Sequence, residues 1–258
     1  MRTLLHGSHE GHDEYDSDGF RLRGLGFSRL DGFSDVVFGF ALTLIVVSLE
    51  VPKNFEELHH LWGAFLPFGV TFLLLILIWF EHFVYFRRFG THDAGTIWLN
   101  GLLLFVVLFY VYPLKFLFLS VFGRAAALTE WREWTELVVV FSCGQAALYF
   151  LIAALYANAY RQRVKLTLTP EEEFLTRNSI LEQSLTGAIG LLVCGLALVM
   201  PQGYASAACL AFMLIGALRS VLGFRARRGV ERIRAAFATP QPDGTSEMKS
   251  NTASMMGE

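Results

Sequence analysis

Long apolar blocks separated by short polar stretches set the pattern of this chain. The run VVFGFALTLIVVSL, from Val36 to Leu49, carries no charged residue. Five further blocks of similar character follow. A helix that crosses a bilayer needs about 20 mostly apolar residues. The blocks that meet this run from about Phe33 to Leu49, Trp62 to Phe86, Ile97 to Phe122, Thr135 to Tyr160, Gln183 to Met200 and Tyr204 to Leu222. Trp62, Trp98, Trp131, Trp134, Tyr160 and Tyr204 stand at or near their ends, where interfacial aromatic residues belong. The pattern predicts an all-α membrane protein with six transmembrane helices.

Composition agrees: 54% of the residues are hydrophobic and only 17% charged, well below the quarter usual in soluble domains. The placement of charge then sets orientation. With the N-terminus inside, seventeen lysines and arginines fall on inner segments and three, Lys53, Arg124 and Arg132, on outer loops. Both termini are therefore expected on the cytoplasmic side of the membrane. The first block is not a secretory signal by its flanks. The segment ahead of it is long and contains HEGHDEYDSDG, whereas a signal begins with a short basic region.

Three regions follow from this reading. Residues 1–26 form a polar, disordered tail, 27–224 a six-span domain, and 225–258 a basic flank with a second disordered tail. His6, His9 and His12 recur at intervals of three in the first tail and are read as a solvated stretch rather than a metal site. Val230 to Phe237 reads as a plain basic flank. Cys143, Cys194 and Cys209 lie within apolar blocks and read as small hydrophobes. No metal, cofactor or nucleic-acid partner is expected.

Directly ahead of the first apolar run stands RLDGFSD, Arg29 to Asp35. Asp31 and Asp35 fall in the first turns of the helix, where carboxylates favour the positive end of its dipole. One reading is a charge-anchored helix start. The other looks to partners: Glu81 and His82 near the inner end of the second span, and Asn100 near the inner end of the third, lie at the same depth. Polar groups there are costly unless paired and often mark a working site. On physics alone both readings stand. An intramembrane enzyme is not expected, because Ser34 and His82 are the one pair to consider and Ser34 has no oxyanion arrangement beside it.

Arg29-x-x-x-Phe33-Ser34-Asp35 resembles the RxxxFSD signature of the transmembrane protein 175 family, the lysosomal and prokaryotic potassium channels. The following VVFGFALTLIVVSLEVP, Trp79 and His82 in the second span, Asn100 in the third and the six-span layout are similar too. The resemblance covers about the first 120 residues well and the later spans by topology. It implies a potassium-permeable cation channel, with potassium as the permeant species and the first helix of each subunit lining a central pore. Arg29, Phe33, Ser34, Asp35, His82 and Asn100 would form the polar network that holds this helix. Phe40, Thr43 and Val47 would line the pore, with a hydrophobic constriction at Phe40 and a contribution to selectivity from Thr43. Their spacing of three and four puts them on one stripe, and Arg29 and Asp35 are placed off it. Family members usually carry leucine or isoleucine at the constriction. Phe40 departs from this, and its larger ring either closes the pore more tightly or turns the helix to present Leu44 or Ala41.

The signature occurs once, and one pore helix cannot enclose an axis. A symmetric homo-oligomer in the bilayer is expected, and the resemblance suggests four subunits. A proton channel using His82 and Asp35, and a secondary transporter on the same membrane fold, are the alternatives. The low midplane charge, with Lys115 beside Pro113 as the exception, speaks against the transporter.

Overall fold

The computed structural model describes residues 14–16, 18–26, 28–47, 54–122, 130–200 and 205–237. His6, His9 and His12, the outer residues Lys53 and Arg124, Tyr204 and the tail from Thr239 onward lie outside the described residues. The helices are α1 (Arg29–Val47), α2 (Phe55–Phe89), α3 (Ala94–Val121), α4 (Trp131–Arg161) and α5 (Pro170–Val199). A short α6 (Ala205–Ala208) passes through a 3-10 turn (Cys209–Met213) into α7 (Leu214–Phe237). Among the described residues the only extended pairing is an isolated antiparallel bridge between Tyr15 and Arg21.

Six stretches are long and apolar enough to cross a membrane: Arg29–Val47, Phe65–Phe89, Ala94–Val121, Trp131–Arg161, Pro170–Val199 and Cys209–Ala236. The protein is an integral membrane protein of six helices, as its hydropathy predicts. Two boundaries differ from that pattern. The fifth helix starts at Pro170, well before Gln183, because Thr169 caps it: its hydroxyl accepts from the Glu172 amide, and the Glu172 carboxylate accepts from the Thr169 amide. Glu171, Glu172 and Glu173 lower hydropathy there while favouring a helix start. At the other end, Val230 to Phe237 continues α7 without a break.

α4 and α5 form the most extensive helix pair, α3 packs on α4, and α7 packs on α5. α1 lies against α2 and α3, burying Ser34, Phe38, Ala41 and Ile45 along one face. The start of α3 is tied to the end of α4 through Asp93. Its carboxylate caps the Gly95 and Thr96 amides and accepts from Gln162 Nε2 at 2.8 Å and Asn158 Nδ2 at 3.1 Å. Desolvation pulls the acid's pKa upward, but the bonds from Gln162, Thr96 and Asn158 outweigh it and hold the group below the usual carboxylate range. The stabilisation is complete at neutral pH and is lost only as pH falls through that lowered value.

Residues 14–16 and 18–26 have the composition of a disordered tail, yet they form a strap across this end of the bundle. Arg88 binds Asp16 and Asp18 at 2.7 and 2.8 Å, and Arg23 grips Glu172 with its two terminal guanidinium nitrogens at 3.0 and 2.7 Å. Phe20 is fully buried, edge-on to Phe89 with ring centroids 5.3 Å apart. The amides of Arg23 and Gly24 both donate to the Arg87 carbonyl. A Cβ at Gly24 would lie 2.1 Å from the Phe86 carbonyl oxygen, so only glycine permits this approach. The strap ends at Gly26, shortly before α1 begins at Arg29.

Glu172 is buried and Arg23 is its only cationic partner among the described residues. Stranding a buried charge costs on the order of 3 kcal/mol. Arg23→Ala is therefore expected to lower the thermal unfolding midpoint of the purified protein by several degrees, while Arg232→Ala, on the exposed side of α7, leaves it within about 1 °C. Equal midpoints for the two variants would refute the strap's contribution.

Candidate functional site

The buried face of α1 presents one polar group, Ser34, to the C-terminal half of α2 and the N-terminal half of α3. Its hydroxyl donates to the Leu30 carbonyl at 2.8 Å, one turn earlier. With that proton used, the oxygen accepts from Asn100 Nδ2 at 2.9 Å. The Asn100 carbonyl oxygen then faces His82 Nε2 at 2.8 Å. An amide oxygen only accepts, so Nε2 of His82 carries the hydrogen and donates. Ser34 and Asn100 are fully buried and His82 is 3% exposed. Phe38 and Phe86 flank the imidazole, with ring centroids 5.5 and 4.6 Å from it. Three helices are thus joined by one chain of donors and acceptors in a setting that offers few other partners.

A second link runs beside the first. Trp79 Nε1 donates to Asp35 Oδ1 at 2.9 Å, tying α1 to α2 again. Asp31 closes the helix start: the Asp31 amide donates to the Ser28 hydroxyl at 3.1 Å, and the Ser28 amide donates back to the Asp31 carboxylate at 3.4 Å. A cavity of about 420 Å³ opens here, lined by Asp31, Asp35, His82, Phe83, Phe86 and Arg87 among others.

The structure thus brings together Ser34, His82 and Asn100, and places Asp35 beside them on Trp79. It does not bring Arg29 or Phe33 into this network. Phe33 is 58% exposed, and Arg29 is exposed with no hydrogen bond or ion pair to any described residue. Arg29 also lies eleven residues before Phe40, about three turns, so it shares the Phe40 face instead of lying off it.

That face is the exposed side of α1. Phe40 is 63% and Val47 77% exposed in the single chain, and Val36 and Thr43 are exposed with them. Thr43 Oγ1 donates to the Phe40 carbonyl at 2.8 Å and keeps its lone pairs free. Ala41 is fully buried and Leu44 packs against the core, so α1 is not turned to present either. Toward its C-terminal end, the Ile45 carbonyl accepts from Lys115 Nζ of α3 at 3.5 Å.

A polar anchor on the far side of α2 was not legible as such in the sequence. Glu81 accepts from Arg219 of α7 and from Gln183 Nε2 of α5 at 2.8 Å. Arg219 also lies 3.7 Å from Glu182. Adjacent residues of α2, Glu81 and His82, therefore hold α5 and α7 on one side and α1 and α3 on the other.

Removing one member of the Ser34–Asn100–His82 chain leaves its neighbours unsatisfied, at a cost on the order of 1–2 kcal/mol. Asn100→Ala is expected to lower the thermal midpoint by several degrees. In a cycle with Ser34→Ala, the double variant is expected to lose less than the sum of the singles by about 1 kcal/mol. Strict additivity would show that the two side chains are not coupled.

Comparison with known proteins matches this arrangement to one family. The family model described as "Endosomal/lysosomal potassium channel TMEM175" matches residues 29–110, beginning at Arg29 of the signature. A potassium channel of Marivirga tractuosa is 36% identical over 197 residues, which cover 71% of this chain and 80% of that protein. A potassium channel of Streptomyces collinus is 28% identical over 139 residues, 52% of this chain and 64% of that protein. Among solved structures, a variant of the potassium channel MtTMEM175 superimposes with a TM-score of 0.67 at 30% identity, covering 86% of this chain and 100% of that one. The fold is also similar to a TMEM175 homolog from Chamaesiphon minutus, with a TM-score of 0.52 at 20% identity over 77% of this chain and 96% of that one. The signature at the start of α1, the six-helix fold and the extent of these likenesses agree: the chain belongs to the endosomal/lysosomal potassium channel TMEM175 family.

Proposed function

We propose that this chain is one subunit of a potassium-permeable cation channel, with α1 lining the pore and a hydrophobic constriction at Phe40. One observation carries the reading. α1 is held by hydrogen bonds on one face and leaves Phe33, Val36, Phe40, Thr43 and Val47 uncovered on the other. The relatives named potassium channels support the choice of ion. A single uncovered helix encloses no axis, so the channel is a symmetric homo-oligomer, a tetramer on the family's likeness. Both termini face the cytoplasm. Arg29, with no hydrogen-bond or ion-pair partner among the described residues, belongs to the subunit boundary at the inner mouth.

At Phe40 an ion meets four rings and no oxygen to replace its hydration shell, so the resting pore is dry and closed there. One turn outward, Thr43 supplies hydroxyl oxygens and contributes to discrimination between potassium and sodium. Opening requires the α1 helices to move apart.

In proteoliposomes, Phe40→Ala is expected to raise cation flux about tenfold and to weaken potassium-over-sodium discrimination. Phe40→Asn is expected to raise flux as well, because a polar ring of similar reach holds water. Leu44→Ala is expected to change flux less than twofold. Unchanged flux in both Phe40 variants with altered flux in Leu44→Ala would place another face on the axis. Mass measurement of the solubilised complex, corrected for detergent, is expected to give four chains, and Arg29→Ala to reduce recovery of that species. A conducting monomer would overturn the assembly.

A further inference from the structure

Cys143 of α4 and Cys194 of α5 bring their sulfurs within 3.6 Å of each other, outside the network that holds α1. Two further features make this approach more than a chance contact. The helices touch backbone to backbone one turn away: a Cβ on Gly190 would fall 2.9 Å from the Ser142 carbonyl oxygen. Their register is pinned by Gln145 Nε2, which donates to the Thr186 carbonyl at 3.2 Å. The pairings Gln145 with Thr186 and Ser142 with Gly190 show α4 and α5 running antiparallel. In that register Cys194 lies outward of Cys143 by more than a turn. Each Cα–Cβ bond leans toward its own helix N-terminus, so the two side chains lean toward each other and close the offset.

We propose that Cys143 and Cys194 form a redox-responsive disulfide that ties α4 to α5 covalently. Cys143, the exposed member of the pair, is the entry thiol, and Cys194 is the half-buried resolving thiol. The oxidant is a small apolar disulfide, R–S–S–R, able to dissolve in the bilayer. The Cys143 thiolate attacks one sulfur and expels RS⁻. The Cys194 thiolate then attacks the Cys143 sulfur of the mixed disulfide and expels the second RS⁻. The protons lost by the two cysteines are gained by the two RS⁻ groups, so two thiols and R–S–S–R become one protein disulfide and two RSH. The sulfurs must close from 3.6 Å to about 2.0 Å, and with an axial offset of more than a turn this takes a backbone shift of one helix along the other as well as side-chain rotation. The lock sits on the helix that also carries Gln183, the α2 anchor, so oxidation fixes α5 relative to α4 while α2 remains bound to it.

The test uses the full-length protein in lipid nanodiscs, treated with dithiodipyridine, then denatured, alkylated and weighed intact. Reduced protein takes three labels, matching its three cysteines. Oxidised protein is expected to take one, with no thiopyridyl adduct on the pair, and to regain all three after dithiothreitol. Cys209→Ser is expected to fall from two labels to none. Cys143→Ser and Cys194→Ser are expected to retain a thiopyridyl adduct or a free thiol in place of the bridge. Bridging is expected to raise the thermal midpoint by about 5 °C in wild type and not in either single-serine variant of the pair. Three labels after oxidation, stable adducts on both cysteines, a bridge that includes Cys209, or an unchanged midpoint would each overturn the proposal.

Discussion

A hydroxyl, an amide and an imidazole buried at the level of Ser34 satisfy one another or go largely unsatisfied, because their other neighbours are mostly apolar side chains and lipid offers no partner. The chain from Leu30 carbonyl through Ser34 and Asn100 to His82 meets that constraint with each group in one role. Reversing the Asn100 amide would set its nitrogen against a donating His82 and its oxygen against a hydroxyl already committed to Leu30. The rotation of α1 is therefore fixed by hydrogen-bond direction as well as by packing. Phe38, Ala41 and Ile45 then follow Ser34 into the core, and Phe40, Thr43 and Val47 are left outside.

The same constraint gives α2 its central place. His82 looks toward α1 and α3, and Glu81, its neighbour, toward α5 and α7. Consecutive residues on a helix point about 100° apart, so one position on α2 binds two groups of helices at a single depth. Glu81 and His82 thus link α5 and α7 to α3, and through Asn100 to α1, within one turn of α2. The strap adds a second link near the membrane surface, since Arg87 and Arg88 at the end of α2 hold residues that lie shortly before α1 in the chain.

Much of this was legible in the sequence because it rests on local periodicity. Six apolar blocks give six spans, and alternation of direction brings the start of α1, the end of α2 and the start of α3 to one level, which is why Ser34, His82 and Asn100 could be grouped. Contacts between residues far apart in the chain were not legible in the same way. Glu81 and Arg219 are separated by 138 positions, and nothing in either neighbourhood names the other. The strap was hidden by composition: a polar, acidic stretch resembles a solvated tail until its acids meet Arg87 and Arg88. Arg29 is a different case. Its phase with Phe40 follows from a spacing of three turns, yet its position within a polar motif suggested a shared role with Ser34 and Asp35.

That phase bears on which exposed face of the protein meets an axis. In a bilayer an uncovered apolar stripe is no oddity, because lipid covers it. α3 exposes Phe105, Phe109, Tyr112 and Phe116 at helical spacing, all large and aromatic, as suits contact with acyl chains. The uncovered stripe of α1 differs in kind. It begins with Arg29 and includes Thr43, two groups that lipid serves poorly, arranged in line with apolar rings. An arginine facing the acyl region must stretch toward the headgroups or find an acid, whereas at the inner mouth of an aqueous pore it meets water and the neighbouring subunit at little cost. The polar members of the stripe, more than its exposure, support the proposal that the α1 face turns toward a pore axis.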